Sequence, residues 1–208
     1  MSPTPAAERA AEIETPKELA IRLEAFETPQ WAIDEILKVE LLTQCVVDPC
    51  CGRGAMSEGA IVVGYDVWPW DVHDWGYPKT KVREFLGYSE NSTFGCDTTV
   101  FMNPPFSLAE QFVVRAIEMG ARKILCFQRF SWWESQRRKK FWDKHPPNRI
   151  YICGDRATCW RFDIDPENPI HPETGKKMGN VPTAHAWFVW EFGQPPGPVI
   201  SRIYKDAP

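Results

Sequence analysis

"CVVDPCCGRGAM", residues 45–56, decides the fold. Val46 and Val47 form an apolar β-branched run ending in an acid, and Pro49, Gly52 and Gly54 break it at once. A buried strand therefore closes on Asp48 and turns. The two glycines leave the backbone bare of Cβ where a ligand would approach. Working outward, "AIVVGYDVWP" (60–69) reads as a second strand ending in the acid Asp66, "TKVREFLG" (80–87) as a third and "TTVFMNPPF" (98–106) as a fourth. "RKILCFQRF" (122–130), "NRIYICGDR" (148–156) and "HAWFVWEF" (185–192) supply three more. "ETPQWAIDEILKVELL" (27–42) reads as a helix, with Thr28 as cap, Pro29 at the first helical position and an apolar stripe of Trp31, Ile33, Ile36 and Leu37. "SLAEQFVVRAIEMGA" (107–121) is another, closed by Gly120. The alternation predicts an α/β fold: a mixed, mostly parallel seven-stranded sheet with helices on both faces and an antiparallel finish. Its ligand crevice lies at the C-terminal ends of the strands. The stretch after Gly54 is short, so the first crossover helix is truncated or absent.

Composition narrows the function. A chain of 208 residues, 43% hydrophobic, suits one domain with a sizeable core. Residues 1–20 read as a polar N-terminal arm and 21–208 as a single domain. Within it "WRFDIDPENPIHPETGKKMGNVPT" (160–183) is a loop insertion. The net charge of −4 excludes a polycation that grips nucleic acid by bulk charge. The charge is unevenly spread, since residues 129–149 carry +5 and the remainder −9. Seven cysteines with no CxxC, several inside apolar runs, point to reduced thiols in the cytoplasm and against a disulfide framework or zinc site. The four histidines have no ligand-like spacing, so no metal is expected, and His185 reads as a packed strand residue. No apolar run approaches a membrane span, and "MSPTPAAERAAE" lacks a secretory core.

Asp66 stands 18 positions after Asp48, a spacing that suits an acid gripping ribose hydroxyls. The third glycine of a dinucleotide fingerprint is replaced by Ser57, which leaves an adenosine ligand without pyrophosphate. With "NPPF" (103–106) added, these pieces resemble the class I S-adenosylmethionine-dependent methyltransferases, and among them the adenine-specific amino-methyltransferases of DNA. By motif the resemblance covers about residues 24–130. It continues loosely to about 192, where "RRKKFWDKHPPNRIYICGDR" (137–156) and "AHAWFVW" (184–190) echo small phage and prophage members. It implies a Rossmann-like methyltransferase fold and S-adenosylmethionine as cofactor. The implied cofactor site takes Phe26, Thr28 and Pro29 from "FETPQW", and Asp48, Pro49, Cys50, Gly52 and Gly54 from the glycine loop. Asp66 and Val67 would serve the ribose and Glu84 and Phe85 the adenine, and Asn103 completes the implied cofactor site. Glu84 stands where the family commonly has Asp. Asn103, Pro104, Pro105 and Phe106 are implied as the catalytic tetrapeptide.

The chemistry of an amino acceptor fits that tetrapeptide. The adenine 6-amino nitrogen is a poor nucleophile, because its lone pair is delocalised into the ring. Two oxygens accepting its hydrogens out of the ring plane favour a pyramidal nitrogen and stabilise the positive charge that develops. Asn103 offers a side-chain carbonyl and Pro104 a backbone carbonyl, and the prolines add no competing N–H. Phe106 would stack on a base flipped out of the duplex. Unstacking costs a few kcal/mol, and aromatic stacking returns about 1–3 kcal/mol per base. "RFSWWESQRRKKFW" (129–142) admits two readings. In one, Arg129, Trp132, Trp133, Arg137, Arg138 and Lys139 contact phosphates and bases. In the other, a tryptophan face packs on the sheet and the charges are solvated. The expectation is a DNA adenine methyltransferase reading a short target through residues 131–148 and 160–183. RNA adenine, the cytosine 4-amino group and a protein glutamine amide are alternative acceptors, and an inactive nucleic-acid-binding module is a different class of answer.

Overall fold

Two-residue alternation along the central strands divides the core between the two faces of one sheet. Val47, Val100, Met102, Ile124, Cys126 and Phe188 point one way; Val46, Phe101, Leu125, Phe127 and Val189 point the other. The computed structural model describes residues 15, 18–20, 23–87, 92–171, 174–179, 183–195 and 197–205. Its strands are β1 (Cys45–Asp48), β2 (Asp66–Asp71), β3 (Lys81–Val82), β4 (Thr98–Met102), β5 (Lys123–Arg129), β6 (Arg149–Cys153), β7 (His185–Glu191) and β8 (Val199–Ile203). They form one sheet in the order β3-β2-β1-β4-β5-β7-β6-β8, in which β7 alone runs antiparallel to its neighbours. Helices α1 (Gln30–Val39) and α2 (Ala55–Val62) cover one face. Helices α3 (Ala109–Glu118) and α4 (Lys139–Lys144) cover the other. Among the described residues no helix is long and apolar enough to cross a membrane.

Four expectations change. The sheet has eight strands, because β8 adds parallel to β6 beyond the seven expected. The first crossover helix is present in truncated form as the eight-residue α2, one of the two forms expected, and it extends through residues 60–62, which are helical and not strand. Gly64, at φ 104°, turns the chain, and β2 begins only at Asp66. Asp66 therefore opens the strand it was expected to close: it pairs with Cys45, the first residue of β1. Asp71 ends β2, five residues and roughly 16 Å further along at about 3.3 Å per residue. Finally, α1 starts one residue later than expected; Pro29 is its N-cap through its backbone carbonyl, and Thr28 makes no cap. Upstream, residues 18–20 are helical, and Thr15 and Glu18 exchange the hydrogen bonds of a capping box. The rest of the expected N-terminal arm, residues 1–14, 16 and 17, lies outside the described residues.

The end of the sheet away from the crevice is fastened by charge. Glu40, buried at the C-cap of α1, meets Lys123 of β5 at 2.5 Å and accepts from the Tyr151 hydroxyl of β6 at 2.7 Å. Arg149 of β6 bridges Glu40 and Glu191.

Candidate active site

Between β1 and β4 the strand order reverses, and there the C-terminal ends of β1, β2 and β4 open on one crevice. A cavity of about 260 Å³ occupies it, lined among others by Phe26, Pro49, Cys50, Gly52, Asp71, Glu84, Phe85 and Asn103. A recess of about 20 Å³ shares Phe26, Cys50, Gly52 and Asn103 with it and reaches Thr28 and Asp48. Gly52 and Gly54 sit at φ 53° and 90°, where side chains are disfavoured. A Cβ on Gly52 would lie 2.5 Å from the Phe162 ring, and one on Gly54 2.5 Å from that of Tyr77.

Two buried acids flank this loop. Asp48 ends β1; its Oδ2 accepts from the Ser57 hydroxyl at 2.7 Å, and its Oδ1 is buried with no hydrogen-bond partner among the described residues. Burial pushes its carboxyl up to about 7, with the neighbouring Asp71 charge adding to the rise and the Ser57 hydroxyl and Cys50 backbone N–H opposing it. Asp71 accepts the Gly52 N–H at 2.9 Å and the His73 N–H at 2.9 Å, so it braces the glycine loop from the second strand. Burial raises it too. Cys50 and Cys51 are held protonated by burial and the nearby acids, which makes them neutral lining.

The tetrapeptide after β4 is held from three directions. Asn103 Nδ2 donates to the Phe26 carbonyl at 3.3 Å and to the Thr28 hydroxyl at 2.9 Å. A backbone carbonyl only accepts, so the amide group is fixed with its nitrogen on that side. Its oxygen takes no hydrogen bond from the described residues, and the side chain lines the cavity. The Pro104 carbonyl accepts from Gln128 Nε2 at 3.0 Å. Ser107 donates its N–H and hydroxyl to Glu24 at 2.9 and 2.6 Å; Glu24 itself is in the left-handed region at φ 47°. Phe106 stacks on Phe26 with centroids 5.3 Å apart, and the Arg129 guanidinium lies 4.3 Å from its ring centre. His185, buried as expected, stacks on Phe127.

The crevice thus gathers Phe26, Thr28, Asp48, Pro49, Cys50, Gly52, Glu84, Phe85 and Asn103, with Pro105 on its wall and Arg129 over Phe106. Pro29, Gly54, Pro104 and Phe106 adjoin these residues in sequence without lining the cavity or the recess, whereas Asp66 and Val67 lie at the far end of β2 and Asp71 stands in the place expected of Asp66. Trp132 and Trp133 are likewise corrected. Trp132 is buried edge-on against Phe188 at 5.1 Å, and Trp133, half-buried, packs on Phe188 and Trp142. The tryptophan face is core because the sheet beneath offers a matching aromatic surface. Arg138 pairs with Glu110 at 3.0 Å and Lys139 with Asp143, while Arg137 is exposed. The start of the 160–183 insertion lies over the glycine loop: Glu27 N–H donates to Trp160 O, Phe162 N–H to Ala25 O, and Arg53 stacks on and bonds to Phe162. Gly64, which breaks the chain before Asp66, and the apolar run "VWPW" (67–70) that closes on an acid are signals that point to Asp71. Glu24, Gln128 and Phe162 carry no local signal, since each acts across a long stretch of chain.

No family model and no curated protein matches the chain. Solved structures do. A protein from Pyrococcus horikoshii named as a candidate RNA methyltransferase is 17% identical, with TM-score 0.50 over 85% of this chain and 84% of its own. A type I restriction-modification system methyltransferase subunit from Streptococcus thermophilus is 9% identical, with TM-score 0.54 over 82% of this chain and 45% of its own. A predicted O-methyltransferase from Agrobacterium tumefaciens is 11% identical, with TM-score 0.52 over 83% and 85%. The chain has the Rossmann-like methyltransferase fold. At such identity the likeness is one of fold, and the methyltransferase fold accounts for where the crevice lies.

Proposed function

We propose that this chain transfers the methyl group of S-adenosylmethionine to the 6-amino group of adenine in DNA. The observation that carries the reading is the Asn103 carboxamide, tethered through its nitrogen so that its oxygen is left for an N–H donor at the cavity. The crevice fits the cofactor: Asp48 Oδ1 is a buried acceptor waiting for a donor, suited to the ammonium of the methionine end. Asp71 suits the ribose, and Glu84 and Phe85 the adenine, at the rim of the same cavity. Bound there, S-adenosylmethionine would supply an activated methyl, the C–S pair staying with sulfur as the N–C bond forms.

Asn103 Oδ1 and the second lone pair of the Pro104 carbonyl then each accept one N–H of the amino group. They hold its lone pair out of the ring plane and face the positive charge that grows on nitrogen. The proton, acidic once the N–C bond exists, leaves to water, so no general base is required. Phe106 would back the flipped base, which would take the place of the Arg129 guanidinium that covers the ring at 4.3 Å and leave it for phosphate. One neighbour carries the name of a restriction-modification methyltransferase and another that of an RNA methyltransferase, so the assay sets the acceptors against one another. Incubation with tritiated S-adenosylmethionine and DNA, RNA or protein should label DNA at adenine. Asn103→Ala should lower turnover on the order of 100- to 1,000-fold. Label on RNA or protein but not DNA refutes the acceptor, and an Asn103→Ala protein as fast as the parent refutes the site.

A further inference from the structure

We infer that Gln128 is a positioning residue of the amino-group site, setting the direction of the Pro104 carbonyl. The inference rests on the reading of the tetrapeptide as an acceptor of amino groups. Backbone pairing between β4 and β5 ends with Met102 opposite Cys126. Two residues further along each strand stand Pro104 and Gln128. Pro104 and Pro105 have no N–H, so neither can donate to continue the ladder. The gap is spanned by a side chain instead: Gln128 Nε2 donates to Pro104 O at 3.0 Å. Gln128 is 1% exposed. A buried amide is costly unless bonded, so this side chain stays inside because of the hydrogen bond it makes.

The consequence is geometric. Asn103 is fixed from the side of Phe26 and Thr28, and Pro104 from the side of β5. The two acceptors are thereby held at a set angle by different elements. Gln128 takes one lone pair of the Pro104 carbonyl and leaves the other for a substrate N–H. Without it, the carbonyl is free to turn with the Asn103–Pro104 segment, and one of the two acceptors loses its aim.

Gln128→Met keeps the length and removes the donor. Turnover on DNA should fall on the order of 100-fold, with cofactor affinity and KM for DNA unchanged and the protein still folded, its melting temperature only modestly lowered by the lost hydrogen bond. Gln128→Glu adds a readout that a merely structural role would not give. Its protonated carboxyl still donates and its carboxylate repels the carbonyl, so turnover should fall as pH rises through the carboxyl pKa, a limb the parent lacks. In protein with 13C-carbonyl proline, free of cofactor and DNA, the Pro104 resonance should move in Gln128→Met. A fully active Gln128→Met protein, or an unmoved Pro104 resonance, overturns the assignment. A parent that methylates no acceptor sinks the proposed function instead, and the carbonyl resonance alone then decides whether Gln128 holds Pro104.

Discussion

Asp48 has one carboxylate oxygen satisfied by Ser57 and the other buried without a hydrogen-bond partner among the described residues, and burial lifts its pKa to about 7. A cationic ammonium against that oxygen would favour the ionised form and pull the value down. Binding then expels a proton wherever Asp48 is protonated in the free protein. Affinity for S-adenosylmethionine should therefore rise with pH up to about 7 and level off above it, by up to about tenfold per unit. Calorimetric titrations between about pH 5 and 8 read the slope directly, and Asp48→Asn should flatten it. A flat profile in the parent would place the ammonium elsewhere. Asp48 was legible from sequence because the strand breaks immediately after it. Asp66 misled because "VVGYD" (62–66) imitates a strand ending in acid, whereas Val62 ends α2, Val63 and Gly64 turn the chain, and Asp71 takes the rim. Thr28 was legible as a site residue but not in its role: its hydroxyl serves Asn103, 75 residues away, in place of the helix N-terminus.

At the scale of elements, Glu40 joins the end of α1 to β5 and β6 through Lys123, Arg149 and Tyr151. Burial works against its charge, but the hydrogen bonds from Arg149, Lys123 and Tyr151 outweigh it and hold the carboxyl below its ordinary 4.5. A lowered acid stabilises the fold fully above its unfolded pKa, and that share is lost as pH falls through the native value. Glu40→Gln leaves Lys123 buried with Glu191 3.7 Å away, which should cost about 3 kcal/mol at neutral pH. Urea unfolding of parent and variant should show the gap narrowing as pH drops below 4.5; a gap that persists in acid would mean that packing, not charge, is lost. Most elements were legible, since β1, β4, β5 and α3 have clear periods and sharp breakers. Strand β8 was not, because its exposed Val199 and Ile200 at the sheet edge carry no burial pattern. The Trp132–Trp142 stretch satisfied two readings equally, and only Phe188 and Trp190 across the sheet decide for packing.

The whole molecule carries −4, and residues 129–149 were its one basic counterweight. Folding spends much of that charge. Arg149 is committed to Glu40 and Glu191, Arg138 to Glu110, and Lys139 to Asp143. Four of the seven cations, Arg129, Arg137, Lys140 and Lys144, are exposed and make no salt bridge with the described residues. Their number sets how many phosphates the protein can neutralise. Each phosphate contributes about −0.9 to the slope of log affinity against log salt on duplex DNA, so the slope should lie between about −3 and −4. The full sequence count of seven would give about −6. On the proposed reading, such modest electrostatics in an acidic chain predicts weak non-specific binding, with capture of a flipped base at Phe106 supplying much of the hold. Fluorescence anisotropy with a labelled duplex across a salt series measures the slope. A value near −6 would show that the ion pairs open on DNA, and one near zero that this face never meets the duplex.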